Sequence, residues 1–300
     1  MIRSRTALVA AFAAVTCLLA ACGTGSSAGT DGGKSQVVAG FYPLQYVTEQ
    51  VGGDRVKVTN LVKPGAEPHD LELQPTQMAE LGRADLVVYL RGFQPNVDAG
   101  VDQQASGSAI DVASVQSLQD APAGAQDKGK DPHIWLDPIR LAAVADKIAD
   151  RLAQRDPAHA ADLRGRAAKL RGQLEALDRE YTTGLAQCQR HEIVTSHAAF
   201  GYLAARYKLT QMPITGLSPE EEPTPQHLAQ VATQARQYKT TTIFFETLVS
   251  PKVAETLAKE VGARAEVLDP IEGIQAGSPD DYVSVMRSNL TKLRTALGCA

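Results

Sequence analysis

Four side chains spread over about 200 residues have the chemistry of ligands for a divalent transition metal. They are three histidines and one aspartate: His69, His133, His197 and Asp269. Each lies just after a predicted strand or in a loop bounded by proline. Three imidazoles and a carboxylate suit a borderline-soft ion such as Zn²⁺ and are unlike the thiol or all-oxygen sets of Cu⁺, Mg²⁺ and Ca²⁺. Spacing alone leaves a second interpretation open, because an isolated histidine at a strand end is often a hydrogen-bonded structural residue.

Short strand-like runs alternate with helical patterns in both halves of the chain. The predicted strands are residues 36–40, 56–62, 85–90, 192–196, 213–217, 242–245 and 265–268. The predicted helices are residues 42–51, 75–81, 198–207, 226–238, 251–261 and 282–297, with a further helix starting at Pro138. This alternation predicts an α/β fold with parallel sheets. Ligands of such sheets bind beyond the carboxyl ends of the strands, where the four candidate side chains are expected.

A long helix is predicted over residues 157–185, between the two halves. Its apolar residues recur at steps of three and four and form one continuous stripe: Leu163, Ala167, Leu170, Leu174, Leu177, Tyr181 and Leu185. At 1.5 Å per residue the helix would be about 40 Å long. We expect it to be a rigid connection between two lobes, residues 36–156 and 186–300, each a small parallel sheet flanked by helices. A core helix of one large domain, or a coiled-coil arm, is the alternative.

The N-terminus has the pattern of an export signal. Residues 1–21 carry Arg3 and Arg5 and then an apolar run of signal-peptide length. The run ends in small residues followed by Cys22, which resembles a bacterial lipobox and predicts a lipid on that cysteine. A plain secretory signal is the alternative. Residues 22–35 are rich in glycine and serine and are expected to be a flexible tether.

Two cysteines remain once Cys17 leaves with the signal and Cys22 carries lipid. An even pair in an oxidising compartment predicts a disulfide between Cys188 and Cys299. Two buried free thiols are the alternative. A site made of cysteines alone is disfavoured, because no CxxC spacing is present in the sequence.

Composition limits the classes of function. The chain has 300 residues, of which 44% are hydrophobic and 21% charged, and its formal net charge is −4. A mildly acidic chain without a basic run is a poor candidate for binding nucleic acid.

Several segments together resemble the zinc- and manganese-binding lipoproteins of ABC importers. Residues 131–138 (DPHIWLDP) are similar to a DPHxWLDP segment of that family. Residues 67–72 (EPHDLE) resemble its first-histidine loop, and residues 196–202 (SHAAFGY) resemble its third-ligand segment. The resemblance runs from about Val37 to the C-terminus. It also includes residues 217–220 (LSPE) and 244–246 (FFE).

The resemblance implies two lobes joined by one helix, with one metal ion between the lobes. It implies that His69, His133, His197 and Asp269 are the ligands. In the manganese-type members the third ligand position resembles Glu, so His197 favours zinc, with manganese as the alternative. Many zinc-type members carry a histidine-rich loop before the second ligand. Residues 117–130 contain no histidine, which puts loop-assisted capture of metal in doubt.

Two further carboxylates are candidates for supporting roles. Glu246 is expected to accept a hydrogen bond that orients an imidazole, although a structural role at the strand end is equally consistent with the sequence. Glu67 could approach the ion directly or through water.

The leading interpretation is a lipid-anchored, monomeric solute-binding protein that delivers Zn²⁺ to the membrane permease of an ABC importer. An extracellular zinc hydrolase is the remote alternative, because it would need an open coordination position and the sequence has no HExxH motif. An adhesin that binds host matrix is a third possibility, which family resemblance suggests and no feature of this sequence does. Because zinc binds neutral imidazoles, we expect its affinity to fall as the pH drops through about 6.

Overall fold

Two four-stranded parallel sheets lie side by side in the computed structural model, which describes residues 33–122, 125 and 129–300. The strands are β1 (Ser35–Ala39), β2 (Val56–Asn60), β3 (Leu86–Tyr89), β4 (Ala109–Asp111), β5 (Glu192–Thr195), β6 (Thr210–Pro213), β7 (Thr242–Phe245) and β8 (Arg264–Val267). The first sheet has the order β2-β1-β3-β4 and the second has β6-β5-β7-β8. In both, the order reverses at the central pair of strands, and the carboxyl ends beside such a reversal form a crevice for ligands.

Nine helices surround the sheets within the described ranges. They are α1 (Tyr42–Gly52), α2 (Pro75–Arg83), α3 (Pro95–Gln104), α4 (Pro138–Arg155), α5 (Ala160–Gly184), α6 (Gly201–Tyr207), α7 (Pro225–Gln237), α8 (Lys252–Val261) and α9 (Tyr282–Leu297). Four of them begin on proline, whose fixed φ suits the first turn. Asp137, Thr224 and Asp281 cap α4, α7 and α9 by accepting backbone N–H groups.

Strand β3 is apolar because it is buried on both faces of the first sheet. All four residues of β3 (LVVY) are buried, as expected for a central strand covered by helices on both faces. Residues 37–39 of β1 pair in register with residues 86–88 of β3. The residues from Lys34 to Ala300 belong to one compact unit. Among the described residues, none of the helices combines the length and apolar composition that a bilayer crossing requires.

The long helix between the halves is confirmed. A short 3₁₀ turn at Pro157–His159 leads into α5, and every residue of the predicted stripe is at most 4% exposed. The helix packs along α4 and α1 of the first lobe and against α9 of the second. It therefore contributes to the cores of both lobes. The lobe boundaries at residues 156 and 186 stay a prediction.

Polar contacts fix α5 to both lobes. Arg166 Nη1 donates to the Gly52 carbonyl at the end of α1 (2.7 Å). At the other end of the helix, the buried Tyr181 hydroxyl donates to the Met286 carbonyl of α9 (2.6 Å). Since the residues of α5 in these contacts are 15 positions apart, the two ends of the helix are each held by a different lobe.

The predicted disulfide is present, and Cys188 and Cys299 also form an isolated antiparallel β-bridge. The bond joins the chain before β5 to the segment that follows α9. Cys22 and residues 1–21 lie outside the described residues, so the signal and the lipid anchor stay predictions.

One predicted strand was wrong in position. The sequence analysis placed it at residues 213–217, whereas β6 ends at Pro213. Proline lacks the N–H that would continue a ladder, and here it closes an edge strand instead of opening one. The residues after it continue alongside the end of β5, where Ile214 N–H donates to the Thr195 carbonyl and Thr215 N–H to that of Ser196 (2.9 Å each). The sequence pattern did not predict α3 and β4, which complete the first lobe.

Candidate metal centre

Three imidazoles and one carboxylate converge at the junction of the two lobes. They belong to His69, His133, His197 and Glu272, and one donor atom of each lies within 4.8 Å of the others. The centres of the three imidazole rings are 5.3–5.8 Å apart. All four side chains are at most 8% exposed. The three histidines predicted from the sequence thus lie together.

Each lobe contributes two of these side chains through loops at the carboxyl ends of its strands. His69 lies in the loop after β2, and His133 lies just before the 3₁₀ turn that leads into α4. His197 lies two residues after β5, and Glu272 lies in the loop after β8. The parallel topology explains why residues so distant in sequence meet.

Two carboxylates hold the imidazole of His197, one at each ring nitrogen. Glu246 Oε1 lies 2.8 Å from Nδ1, and Glu272 Oε1 lies 3.1 Å from Nε2. The Ser196 hydroxyl donates to the same Glu246 oxygen (2.7 Å). The Thr195 hydroxyl donates to the His197 carbonyl (2.7 Å) and fixes the backbone. Glu246 therefore lies within hydrogen-bond distance of the ring, and its role in orienting the imidazole stays a prediction.

The two Asp-Pro pairs around His133 have different structural roles. Asp131 Oδ1 accepts from the His133 backbone N–H (2.9 Å) and lies 2.7 Å from its Nδ1. Asp137 instead caps α4, accepting from the N–H of Ile139 (2.9 Å). The residues between the pairs make one 3₁₀ turn, which turns the chain from the imidazole into the helix.

Glu67 supports His69 in the way that Asp131 supports His133. Its carboxylate accepts from the His69 backbone N–H (2.9 Å) and contacts the ring at Nδ1. Gln94 Nε2 donates to the Pro68 carbonyl (3.1 Å) and fixes the loop from the other side. Nδ1 of His69 also lies 3.7 Å from Glu272 Oε2. Direct contact of Glu67 with an ion stays a prediction.

These carboxylates determine which ring nitrogen carries the proton. An ionised carboxylate only accepts hydrogen bonds, so each Nδ1 must donate, and Nε2 of the neutral ring keeps its lone pair. Metal-binding histidines are held in this way by carboxylates behind them. Within the described ranges, three buried atoms of the cluster have no hydrogen-bond partner: His69 Nε2, His133 Nε2 and Glu272 Oε2. Buried polar atoms are rarely left so, and a bound cation would satisfy them.

The electrostatics of the cluster follow from its crowded carboxylates. Burial lowers the pKa of His197, but Glu246 and Glu272 outweigh it and raise that pKa well above 6.5. Burial likewise lowers the pKa of His133, and Asp131 and Glu272 outweigh it and raise it. Burial raises the pKa of Glu272, and the three imidazoles overcome it and hold that pKa well below the usual range. Four carboxylates thus surround three imidazoles, a surplus of negative charge that favours a cation.

The spacing of the donors fits a tetrahedral ion. Bonds of about 2.1 Å to a tetrahedral Zn²⁺ place neighbouring donor atoms about 3.4 Å apart. Glu272 Oε1 lies 3.3 Å from His133 Nε2 and 3.1 Å from His197 Nε2. The spacing of Glu272 from these two imidazoles therefore suits a small divalent ion, and the donor atom of His69 lies within 4.8 Å of all three.

Asp269, the carboxylate predicted from the sequence as a ligand, is not in the cluster, and Glu272 is the carboxylate found there instead. Asp269 Oδ1 accepts from the Ile271 backbone N–H (2.7 Å), and Oδ2 accepts from the Thr247 hydroxyl (2.9 Å). Both oxygens are thus engaged three residues before Glu272. Asp269 is the acid nearest the end of β8, whereas the carboxylate of the cluster lies three residues further along the loop.

A pattern in the sequence could have separated the two acids. Four acids precede a proline and accept the backbone N–H of the residue two positions on: Glu67 from His69, Asp131 from His133, Asp137 from Ile139 and Asp269 from Ile271. Such turns are a known use of aspartate. After Glu67 and Asp131 the next residue but one is histidine, so the same carboxylate reaches its ring. After Asp269 it is isoleucine, which favours a structural role for the acid.

Aromatic rings form the wall of the site on the side of the first lobe. The Phe93 ring meets the His69 ring edge-on, with centres 4.6 Å apart, and the Trp135 ring lies 5.2 Å from that of His133. Phe93 and Trp135 are nearly fully buried. Such an apolar surround limits access of water and strengthens electrostatic interactions inside it.

The loop that carries Glu272 is joined to the first lobe on both sides of that residue. Trp135 Nε1 donates to the Pro270 carbonyl (2.7 Å), and the Gly65 N–H donates to the Ile274 carbonyl (2.9 Å). The carboxylate from the second lobe is therefore held against the two histidine loops of the first.

The chain is similar to known zinc-uptake proteins. The family model described as "Zinc-uptake complex component A periplasmic" matches residues 37–296. The high-affinity zinc uptake system protein ZnuA of Bacillus subtilis is 34% identical over 308 residues, covering 95% of both chains.

Solved structures of two streptococcal proteins have the same fold. The laminin-binding protein Lmb of Streptococcus agalactiae, described as a bifunctional protein with adhesin and metal transporting activity, is 32% identical with a TM-score of 0.80. The alignment covers 88% of this chain and 99% of that one. The Zn(II)-bound ZnuA-like domain of Streptococcus pneumoniae AdcA is 34% identical with a TM-score of 0.76, over 88% of this chain and 99% of the domain. With the match over residues 37–296, the chain belongs to the ZnuA family of zinc-uptake components.

Proposed function

We propose that this protein captures Zn²⁺ outside the cytoplasm and delivers it to the membrane permease of an ABC importer. His69, His133, His197 and Glu272 would hold the ion. The observation that carries the proposal is the convergence of these four buried donors from both lobes, three of whose atoms have no hydrogen-bond partner within the described ranges. Membership of a zinc-uptake family and the zinc named for the relatives support it.

The donor set favours binding over catalysis. Four protein donors complete a tetrahedral zinc ion, whereas catalytic zinc keeps one position open for water. Glu67, Asp131 and Glu246 are each engaged with a histidine, which suits them to orienting rings rather than to moving protons. We therefore infer that the protein is not an enzyme.

Zinc is favoured over manganese by the same donors. Three imidazole nitrogens and one carboxylate bind Zn²⁺ more strongly than Mn²⁺ in the order of divalent-ion affinities, and Mn²⁺ prefers oxygen-rich sites of higher coordination number. Manganese remains the alternative cargo in the proposal.

The location and the partner follow from the N-terminal pattern. A lipid on Cys22 would anchor a monomer to the outer face of the cell membrane, with residues 22–35 as its tether. The family's description as periplasmic supports an extracytoplasmic site. The permease would then receive the ion from the tethered protein.

Adhesion to host matrix is a second candidate function, favoured by the likeness to laminin-binding proteins such as Lmb. It would use the outer surface and would not need the buried donors. Substituting a ligand should therefore abolish metal uptake and leave adhesion unchanged.

Isothermal titration of metal-free protein with Zn²⁺ and Mn²⁺ tests the proposal. We expect one zinc ion per chain and weaker binding of manganese. His197→Ala should abolish tight binding, and His191→Ala, which removes an exposed histidine outside the cluster, should not. Absence of zinc binding, or equal binding by His197→Ala, would contradict it. Turnover of esters or peptides by the zinc-loaded protein would favour the hydrolase instead.

A further inference from the structure

Asp269 accepts hydrogen bonds from residues next to two different carboxylates of the metal centre. Its Oδ2 accepts from the hydroxyl of Thr247, the residue after Glu246. Its Oδ1 accepts from the N–H of Ile271, the residue before Glu272. One side chain thus connects the loop after β7 to the loop after β8. The two acids next to these contacts lie on opposite nitrogens of the His197 ring.

The side chain of Asn289 fixes the backbone of Asp269 through two hydrogen bonds. The Asp269 N–H donates to Asn289 Oδ1 (3.0 Å), and Asn289 Nδ2 donates to the Asp269 carbonyl (2.7 Å). Asn289 lies on α9 and is completely buried. A buried asparagine is retained only where its polar atoms are satisfied, and here both are used on a single residue. Helix α9 therefore sets the position of Asp269.

The backbone between Asp269 and Glu272 has a conformation that isoleucine disfavours. Ile271 has φ of +60°, in the left-handed region. A β-branched residue is an outlier there and persists only when surrounding contacts impose it. The hydrogen bond from its N–H to Asp269 is such a contact. This turn decides the direction in which Glu272 leaves the loop.

We infer that Asp269, held by Asn289, is a positioning residue that keeps Glu246 and Glu272 aligned on the two nitrogens of His197. This inference rests on the proposed function, because it concerns how the zinc site is preassembled. Asp269 itself does not coordinate the ion. Its removal should leave all four ligands in the chain and weaken zinc binding, since ligands that must be ordered on binding bind less tightly.

Three variants separate positioning from ligation. Asp269→Asn keeps an oxygen for the Ile271 N–H and gains an N–H₂ that can donate to the Thr247 hydroxyl, so we expect zinc affinity within about twofold of wild type. Asp269→Ala loses both contacts, and we expect about a tenfold or larger loss. Ile271→Gly in the Asp269→Ala background should recover part of this loss, because glycine adopts a left-handed φ without steric cost, whereas the contact with Thr247 stays lost. The loss of a metal ligand could not be compensated by a substitution in the neighbouring backbone.

The test measures zinc affinity by competition with a chelator and the visible spectrum of the Co²⁺-loaded protein. Asp269→Ala saturated with Co²⁺ should keep the wild-type spectrum, whereas Glu272→Ala should change it. Asp162→Ala, at an exposed site on α5, is the matched control and should behave as wild type. If Asp269→Ala does not fold, Thr247→Val decides the matter, because it removes the contact to Asp269 Oδ2 and keeps the carboxylate and its backbone support. We expect Thr247→Val to weaken zinc binding, and an affinity equal to that of wild type would contradict the inference.

The inference is overturned if Asp269→Asn loses zinc affinity as strongly as Glu272→Ala, or if Asp269→Ala binds as tightly as wild type. Wild-type protein is titrated first. If it fails to bind zinc, the proposed function fails, whereas a zinc-binding wild type with an indifferent Asp269→Ala contradicts only the positioning role.

Discussion

Gly201 of the second lobe packs directly against the carboxylate of Asp131 in the first lobe, leaving no room for a side chain. A Cβ built on Gly201 would collide with Asp131 Oδ2. The neighbouring Tyr202 hydroxyl donates to the Asp131 carbonyl (3.0 Å). The segment that follows His197 therefore fixes the acid that orients His133.

Gly201→Ala should consequently weaken zinc binding. The methyl group would displace Asp131 and rotate the His133 ring, and losing such a support costs about tenfold or more in metal affinity. Titration calorimetry against wild type measures the effect. Gly172→Ala, in α5 with open space around the site, should leave zinc affinity unchanged and raise the free energy of unfolding by about 0.5–1 kcal/mol. Equal affinities of the two variants would contradict the steric argument.

Trp135 should report zinc binding by its fluorescence. It is the only tryptophan of the chain, it is fully buried, and its ring lies 5.2 Å from that of His133. Its indole N–H donates to the carbonyl of Pro270, two residues before Glu272. We expect zinc to change the emission, with a midpoint at one ion per chain. The same addition of Mg²⁺ should have no effect. Unchanged emission at calorimetrically proven saturation would show that binding occurs elsewhere.

The pH dependence should differ between metal-free and zinc-loaded protein. Because the pKa of His197 is raised well above 6.5 in the fold, its ion pairs stabilise the metal-free protein fully below pH 6.5. That contribution is lost as the pH rises through the raised pKa. The lowered pKa of Glu272 keeps it ionised throughout this interval.

Zinc requires neutral imidazoles, so its affinity should rise over the same interval. The pH range in which zinc affinity rises therefore begins above the pH of about 6 expected for an unperturbed histidine. The increase in Tm caused by zinc should therefore grow as the pH rises above about 6.5. Calorimetry in buffers of different ionisation enthalpy should also show proton release on binding. A zinc-dependent shift in Tm that is constant or declines with pH would contradict the raised pKa values.

The fold was predictable where one physical requirement dominated each element. The apolar stripe of α5 is buried along its whole length, and steps of three and four residues are the pattern that such a helix requires. The run at β3 is apolar on both faces because helices cover both. In contrast, α3 has only three buried residues and β4 has three residues in all, so neither leaves a strong periodic signal.

The site was partly predictable for a similar reason. His69, His133 and His197 are few and distinctive, and each follows a strand or an acid-proline pair. The acids are numerous, and the choice between Asp269 and Glu272 depends on a turn with a left-handed Ile271. Propensity disfavours that conformation, so the turn itself was not predictable, although the isoleucine two positions after Asp269 favours a structural role for that acid.

The disulfide should stabilise the fold without affecting the site. Cys188 precedes the amino end of β5, whereas His197 follows its carboxyl end. Replacing Cys188 and Cys299 by serine should lower the free energy of unfolding of the metal-free protein by about 2–5 kcal/mol, because the bond closes a long loop. Urea unfolding measures this loss, and reduced wild type should behave like the variant. A large fall in zinc affinity would mean that the two ends of the sheet are coupled.

The most direct test of the account is the crystal structure of the zinc-loaded protein with anomalous diffraction at the zinc edge. We expect one strong peak bonded to His69, His133, His197 and Glu272 at about 2.0–2.2 Å, with Asp269 still accepting from Ile271. A peak bonded to Asp269 in place of Glu272, or one located away from the three imidazoles, would contradict it.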